Sequence, residues 1–122
     1  RTAFVADFIG TMNRLTGQVV DGSLEVVGGR LPWSRGGAGT VEVMFRPEDV
    51  RIVAAAEAQL RGTIVSAFFL GDHTRLIVDT GAPETIVVET NARDAFKKGT
   101  TIALAVEAHA LMTIPEVTRS EA

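Results

Sequence analysis

Apolar residues along this chain recur mainly at every second position. Val41, Val43 and Phe45 alternate with Glu42 and Met44, the period of a strand with one buried face. Leu76 and Val78 alternate with Arg75, Ile77 and Asp79; Ile86 and Val88 with Thr85, Val87 and Glu89; Ile102, Leu104 and Val106 with Thr101, Ala103 and Ala105. Residues 63–70 differ. Ile64, Ser66, Phe68 and Leu70 share one face, Val65, Ala67 and Phe69 the other, and both faces are largely apolar, which predicts a central strand. Turn signals fall between these runs at Asp21-Gly22, Gly28-Gly29, Gly71-Asp72, Gly81-Ala82-Pro83 and Gly99. Six or seven short strands at this spacing predict an all-β chain, a small sandwich or barrel.

Helical signals are few. Phe4, Val5, Phe8 and Ile9 have helical spacing, with Gly10 placed to end the helix. Asn91 is placed to cap a turn running through Ala95 and Phe96 to Gly99. The alanine-rich stretch from Val53 to Leu60 reads as a helical turn or a linker, too short to hold a helix alone.

The chain also repeats itself. Leu15-Thr16-Gly17-Gln18-Val19 parallels Leu60-Arg61-Gly62-Thr63-Ile64, and the run from Gly39 to Phe45 parallels that from Thr100 to Val106. Each half opens on a strand beginning Leu-x-Gly and later carries a strand that follows a Gly-Thr start. This predicts two related β halves sharing one core.

Composition narrows the function. With 122 residues, 46% apolar and 22% charged, the chain is one domain able to bury a core without staples. A net charge of −3 argues against a general nucleic-acid binder, which needs a basic surface. The absence of Cys excludes disulfide scaffolds, thiolate metal sites and cysteine nucleophiles. No run reaches the roughly 20 apolar residues of a membrane-spanning helix, and no signal-peptide pattern is visible. The first residue is Arg1 rather than Met, so we expect a piece of a longer protein.

Candidate chemistry is sparse. No phosphate-binding G-x-x-x-x-G-K-[ST] loop is present. The glycine-rich stretch from Gly28 to Gly39 carries Arg30, Trp33 and Arg35, which could hold a flat or anionic ligand, but a hairpin loop with its Trp folded onto the sheet is the simpler expectation. His73 follows Asp72 in a polar turn that should expose its side chains. Glu107 and His109 would share one face of a strand, two metal ligands without a third, so we expect no metal site. At Arg46-Pro47-Glu48-Asp49 a strand must stop, because Pro47 has no amide donor, and the two acids then suit the first turn of a short helix. Arg46 should start on the solvent side and bond a nearby carboxylate or carbonyl, or a partner.

Three stretches, in order, resemble the C-terminal regulatory domain of bacterial ABC-importer ATPases, the group serving maltose, polyamine and ferric-ion uptake. FVADFIG followed by MN, residues 4–10 and 12–13, looks like the join from the nucleotide-binding domain to the first regulatory strand. FRPEDV, residues 45–50, is similar to the family's strand and Arg-Pro-Glu corner. LRGTIVSAFFLGDHTRLIVDTG, residues 60–81, is similar to its pattern of Leu-x-Gly, apolar strand, Leu-Gly, polar turn and second strand. The resemblance implies an OB-fold-like barrel of the TOBE type, built from two related halves with short helical turns. It divides the chain into the end of a linker at 1–11, a first OB-like half at 12–59, a second at 60–116 and a tail at 117–122.

The resemblance also implies a function. By it the chain is a non-catalytic regulatory and dimerisation domain of an importer's ATP-binding subunit, the solute being a polyamine, ferric ion or sugar. It holds no cofactor of its own; ATP and Mg belong to an upstream domain. Its partners are a second copy of the ATPase subunit, its own nucleotide-binding domain, the transmembrane permease subunits and a regulatory protein or small ligand, at the cytoplasmic face of the bacterial plasma membrane. Arg46, Pro47, Glu48, Asp72, His73 and Arg75 are the candidate partner or dimer contacts. The alternative is a module sensing a small ligand or oxyanion. An oligonucleotide-binding OB protein fares worst, since it stacks bases on aromatics in a basic groove and this chain has one Trp, no Tyr and a negative balance.

Overall fold

A computed structural model describes residues 12–92 and 94–113. Ten strands follow one another among them: β1 (Asn13–Val20), β2 (Ser23–Val26), β3 (Gly29–Pro32), β4 (Gly39–Phe45), β5 (Val50–Ile52), β6 (Leu60–Phe69), β7 (Thr74–Asp79), β8 (Ile86–Thr90), β9 (Thr101–Val106) and β10 (Met112–Thr113). Every pairing is antiparallel, and the strands form one sheet ordered β10-β4-β1-β2-β3-β6-β7-β8, with β9 beside β6 and β5 beside β9. Three 3-10 turns, Pro47–Asp49, Ala55–Glu57 and Ala108–Ala110, are the helical elements of the described residues. The architecture is all-β and OB-fold-like, as expected, with more strands than the alternation alone reveals. β2, β3, β5 and β10 have two to four residues each, too few for a period to show.

The duplication is present down to strand register. β1, β2 and β3 run as a meander and β4 returns beside β1; β6, β7 and β8 do the same and β9 returns beside β6. Each set is a Greek key. Leu15 faces Val43 in the first, and Leu60 faces Leu104 in the second. The fifth strands are exchanged. β5 pairs with β9 of the second set, setting Arg51 against Ala105, while β10 pairs with β4 of the first, setting Met112 against Met44.

The Leu-x-Gly motif has a steric cause. A Cβ on Gly17 would lie 2.5 Å from the Glu25 carbonyl oxygen, and one on Gly62 would lie 2.7 Å from that of Asp79. Backbone stands where a side chain would go, so only glycine fits at either place. Thr63 stands where β6 passes from its pairing with β9 to its pairing with β7, directly after Gly62.

The alternating apolar residues meet in one core. Leu15, Leu24, Val43, Phe45, Leu60, Leu76, Val78, Ile86, Val88 and Leu104 all belong to it, so the two sets share an interior rather than each having its own. Among the described residues two polar side chains are buried with them, Asn13 at 3% and Thr80 at 8% exposure. Asn13 is fully bonded. Its side-chain amide donates to the Val87 carbonyl at 2.8 Å and its carbonyl accepts from the Val87 amide at 2.7 Å. Asn13 thus serves as a strand neighbour for the outer edge of β8 and ties β8 to the start of β1.

Some expectations need correction. Residues 33–38 are not a hairpin loop: β3 pairs with β2 and β6, whereas β4 pairs with β1 and β10, so this stretch crosses between non-adjacent strands. β6 is central only in its first half. β9 accompanies it no further than Thr63, and beyond that point Val65, Phe68, Phe69 and Leu70 are exposed. The capped turn expected after Asn91 does not form a helix among the described residues. Of the two forms open to the 53–60 stretch, a helical turn or a linker, it takes the turn, a 3-10 turn at Ala55–Glu57. The helical spacing of Phe4, Val5, Phe8 and Ile9, the linker at 1–11 and the tail at 117–122 lie outside the described residues.

Replacing Asn13 by Ala should cost roughly 1–3 kcal/mol, because it leaves a part-buried amide and carbonyl of Val87 without their partner. Urea unfolding followed by tryptophan fluorescence measures this.

Candidate functional site

The six candidate contact residues fall in two groups on opposite edges of β8. β4 ends at Phe45, and Arg46 is extended (φ −80°, ψ 147°). Pro47 then opens the 3-10 turn, whose Asp49 amide donates to the Arg46 carbonyl at 3.0 Å. This turn packs against β8 on the side where Asn13 bonds Val87. Arg46 and Glu48 are exposed and Pro47 is half-buried. Arg46 has no side-chain partner among the described residues, so the expected bond to a nearby carboxylate or carbonyl is not made there.

The second group stands on the other edge, where β7 pairs with β8. Arg75 lies opposite Glu89 and donates to its Oε2 through Nε at 2.9 Å, with Nη2 at 2.8 Å from the same oxygen. His73 Nε2 is 3.3 Å from Glu89 Oε1, and His73 Nδ1 is 2.6 Å from Asp72 Oδ1. Asp72, His73, Glu89 and Arg75 thus form a continuous chain of charged and ionisable groups. The hydrogen bond from His73 is the main cause that holds the Asp72 carboxyl below the usual carboxylate range. Exposure of the turn's side chains is the expectation from sequence. Asp72 meets it, but His73 is half-buried against β8.

Two of these residues, Asp72 and His73, border a cleft of about 710 Å³. Asp72 and His73 line it on the turn side, Asn91 and Asp94 on the other, with Phe69 and Phe96 supplying apolar surface. Neither Glu89 nor this cleft is among the sequence-based candidates. Glu89 is found by folding the runs at 75–79 and 86–89 about the Gly81-Ala82-Pro83 turn, which brings it opposite Arg75. Phe96 and Asp94 carry no such signal, because the segment that brings them there has no period.

Other candidates are occupied structurally. Trp33 is buried and donates from Nε1 to the Gly36 carbonyl at 2.9 Å, and the Arg35 guanidinium lies 5.5 Å from its ring centre. Arg35 also donates to the Leu111 carbonyl. Arg30 pairs with Glu25 at 2.9 Å. Glu107 and His109 do not share a strand face: β9 ends at Val106, His109 lies in a 3-10 turn, and Glu107 pairs with Arg51 at 3.3 Å. Among the described residues no group of three or more acidic or histidine side chains is gathered as a metal site.

Comparison with known proteins agrees with this architecture. The family model of the TOBE domain matches residues 43–114. A spermidine/putrescine import ATP-binding protein, PotA, of Acetivibrio thermocellus is 31% identical over 109 residues, which is 86% of this chain and 30% of that protein. PotA of Desulfitobacterium hafniense is 36% identical over 84 residues, 66% of this chain and 24% of that protein. The Fe(3+) ions import ATP-binding protein FbpC of Rhizobium etli is 27% identical over 95 residues, 72% of this chain and 27% of that protein. The chain therefore spans between about a quarter and a third of the length of these relatives. Among solved structures, the cytoplasmic molybdate-binding protein ModG with molybdate bound has the same fold, with a TM-score of 0.63 and 14% identity over 83% of this chain and 94% of that one.

Replacing Arg46 by Ala should cost about 1 kcal/mol or less, since the side chain is exposed and holds no partner among the described residues. A loss of several kcal/mol in chemical denaturation would instead make it a buried keystone.

Proposed function

The chain belongs to the TOBE domain family, and from that premise we propose that it is the regulatory and dimerisation domain of the ATP-binding subunit of an ABC importer, with no chemistry of its own. The carrying observation is the outer half of the β6–β7 hairpin. Val65, Phe68, Phe69 and Leu70 are exposed there, with Phe68 and Phe69 on opposite faces and Phe69 at 75% exposure. Apolar side chains left uncovered on both faces of a strand end mark a contact surface. Its occupant is a second copy of the subunit, most simply across a two-fold axis.

In this reading the parent protein couples ATP hydrolysis elsewhere in its chain, where ATP and Mg bind, to uptake of a solute such as a polyamine or ferric ion. It sits at the cytoplasmic face of the membrane through its permease subunits. The exposed Arg46-Pro47-Glu48 corner and the Asp72, His73 and Arg75 group are the polar surfaces offered to those neighbours. The second reading, a ligand-sensing module, is favoured by the cleft beside His73, whose volume suits a small molecule. Calorimetric titration with molybdate, sulfate, polyamines and ferric citrate separates the two.

Sedimentation velocity of this chain tests the first reading. Concentration-dependent self-association should appear, weakened at least about tenfold by Phe69→Ser, as the loss of a buried phenylalanine implies. A strict monomer at millimolar concentration would overturn it, as would ATP turnover above a buffer blank.

A further inference from the structure

The imidazole of His73 has a carboxylate oxygen at each of its two nitrogens. Asp72 Oδ1 stands 2.6 Å from Nδ1 and Glu89 Oε1 stands 3.3 Å from Nε2. An ionised carboxylate only accepts hydrogen bonds. A neutral imidazole has one N–H and one lone pair, so it can bond one of these oxygens and must turn a lone pair toward the other. An imidazolium has an N–H at both nitrogens and bonds both.

The surrounding charges fix which contact fails when the proton leaves. Arg75, from β7, holds Glu89 through Oε2 and leaves Oε1 to His73. Glu89 therefore keeps a cation whatever the state of the ring. Asp72, on the turn, has no other side-chain partner among the described residues. Asp94 borders the same cleft from the segment after β8 and adds negative charge opposite. A neutral ring thus keeps its remaining proton on Nδ1 for Asp72 and points the Nε2 lone pair at Glu89. The turn is also closed by a bond from the Leu70 amide to the His73 carbonyl at 2.8 Å, and Gly71, at φ +101°, lets the backbone pivot there.

We infer that His73 is a proton-operated latch. With the ring charged, the β6–β7 turn is fastened to β8 and one wall of the cleft is fixed. When the Nε2 proton passes to solvent, the ring swings off Glu89 and carries Asp72 and the wall with it. Histidine is the side chain that ordinarily changes charge between about pH 5 and 8, which is the range to search.

The test is NMR of the 122-residue chain across that range, reading the ring nitrogen shifts of His73 together with the exchange protection of the Leu70 amide. At the acid end both nitrogens should carry protons. At the basic end the ring should be neutral with its proton on Nδ1, and Leu70 protection should fall by about fivefold, as for the loss of a half-exposed ion pair. In Glu89→Gln the side-chain amide can donate to a neutral Nε2 while its oxygen still accepts from Arg75, but it sets N–H against N–H when the ring is charged, so the turn should be fastened at the basic end and the pH dependence should reverse. His73→Gln should abolish it. The inference is overturned if Leu70 protection is flat in the wild type while the ring titrates, if the pH dependence keeps its sign in Glu89→Gln, or if it survives in His73→Gln.

Discussion

Everything in this fold depends on two strands that each serve two neighbours. β1 runs against β4 for most of its length and against β2 at its end; β6 begins against β9 and continues against β7. A strand that pairs in both directions along a curled sheet must bend, and bending brings a neighbouring carbonyl over its inner face. At Gly17 and Gly62 that carbonyl fills the space of a Cβ. The same constraint solved twice is why the glycine recurs two residues after a leucine in both halves. Leu15 and Leu60 then point into the shared core just before the bend.

Curvature alone leaves the outer edge of β8 bare, and Asn13 meets that need with one side chain in place of a strand. Its position is no accident of spacing. It lies opposite Phe45 at the start of β1, where the chain is about to turn through the Arg46-Pro47 corner toward β8. The corner and the closing amide are therefore parts of one arrangement, and a contact made on Arg46 or Glu48 would press on the edge that Asn13 secures. On the opposite edge of β8 the ladder to β7 carries Arg75 and Glu89, and beyond it the His73 turn. One five-residue strand thus lies between both groups of polar surface residues.

Much of this is legible in the residues because burial imposes a period. Leu76, Val78, Ile86, Val88, Ile102, Leu104 and Val106 read as inward and are inward. Met44 and Ala105 escape such a reading, because the ends of β4 and β9 are covered on both faces and no alternation survives there. The exposed end of β6 misleads for the converse reason. Two apolar faces normally mean two covered faces, and here the second half outruns its neighbour β9. Of the candidate site, the turn and its Asp-His pair are visible in the sequence, but the partner that gives them meaning, Glu89, requires the pairing register. The cleft depends on a segment without a period, where sequence carries no positional signal.

The exchange of fifth strands has a consequence for how the chain reaches this state. Met44 finds its neighbour at Met112, and Val50 finds its own at Val106, so neither half completes its sheet from its own residues. Closing loops that long costs entropy that grows only slowly with length, but contacts so distant in sequence come late and slow the search. The duplicated halves consequently fold as a single cooperative event rather than as two domains in succession. A chain severed between β5 and β6 would yield two fragments, each carrying the strand that the other lacks, and assembly would depend on their meeting.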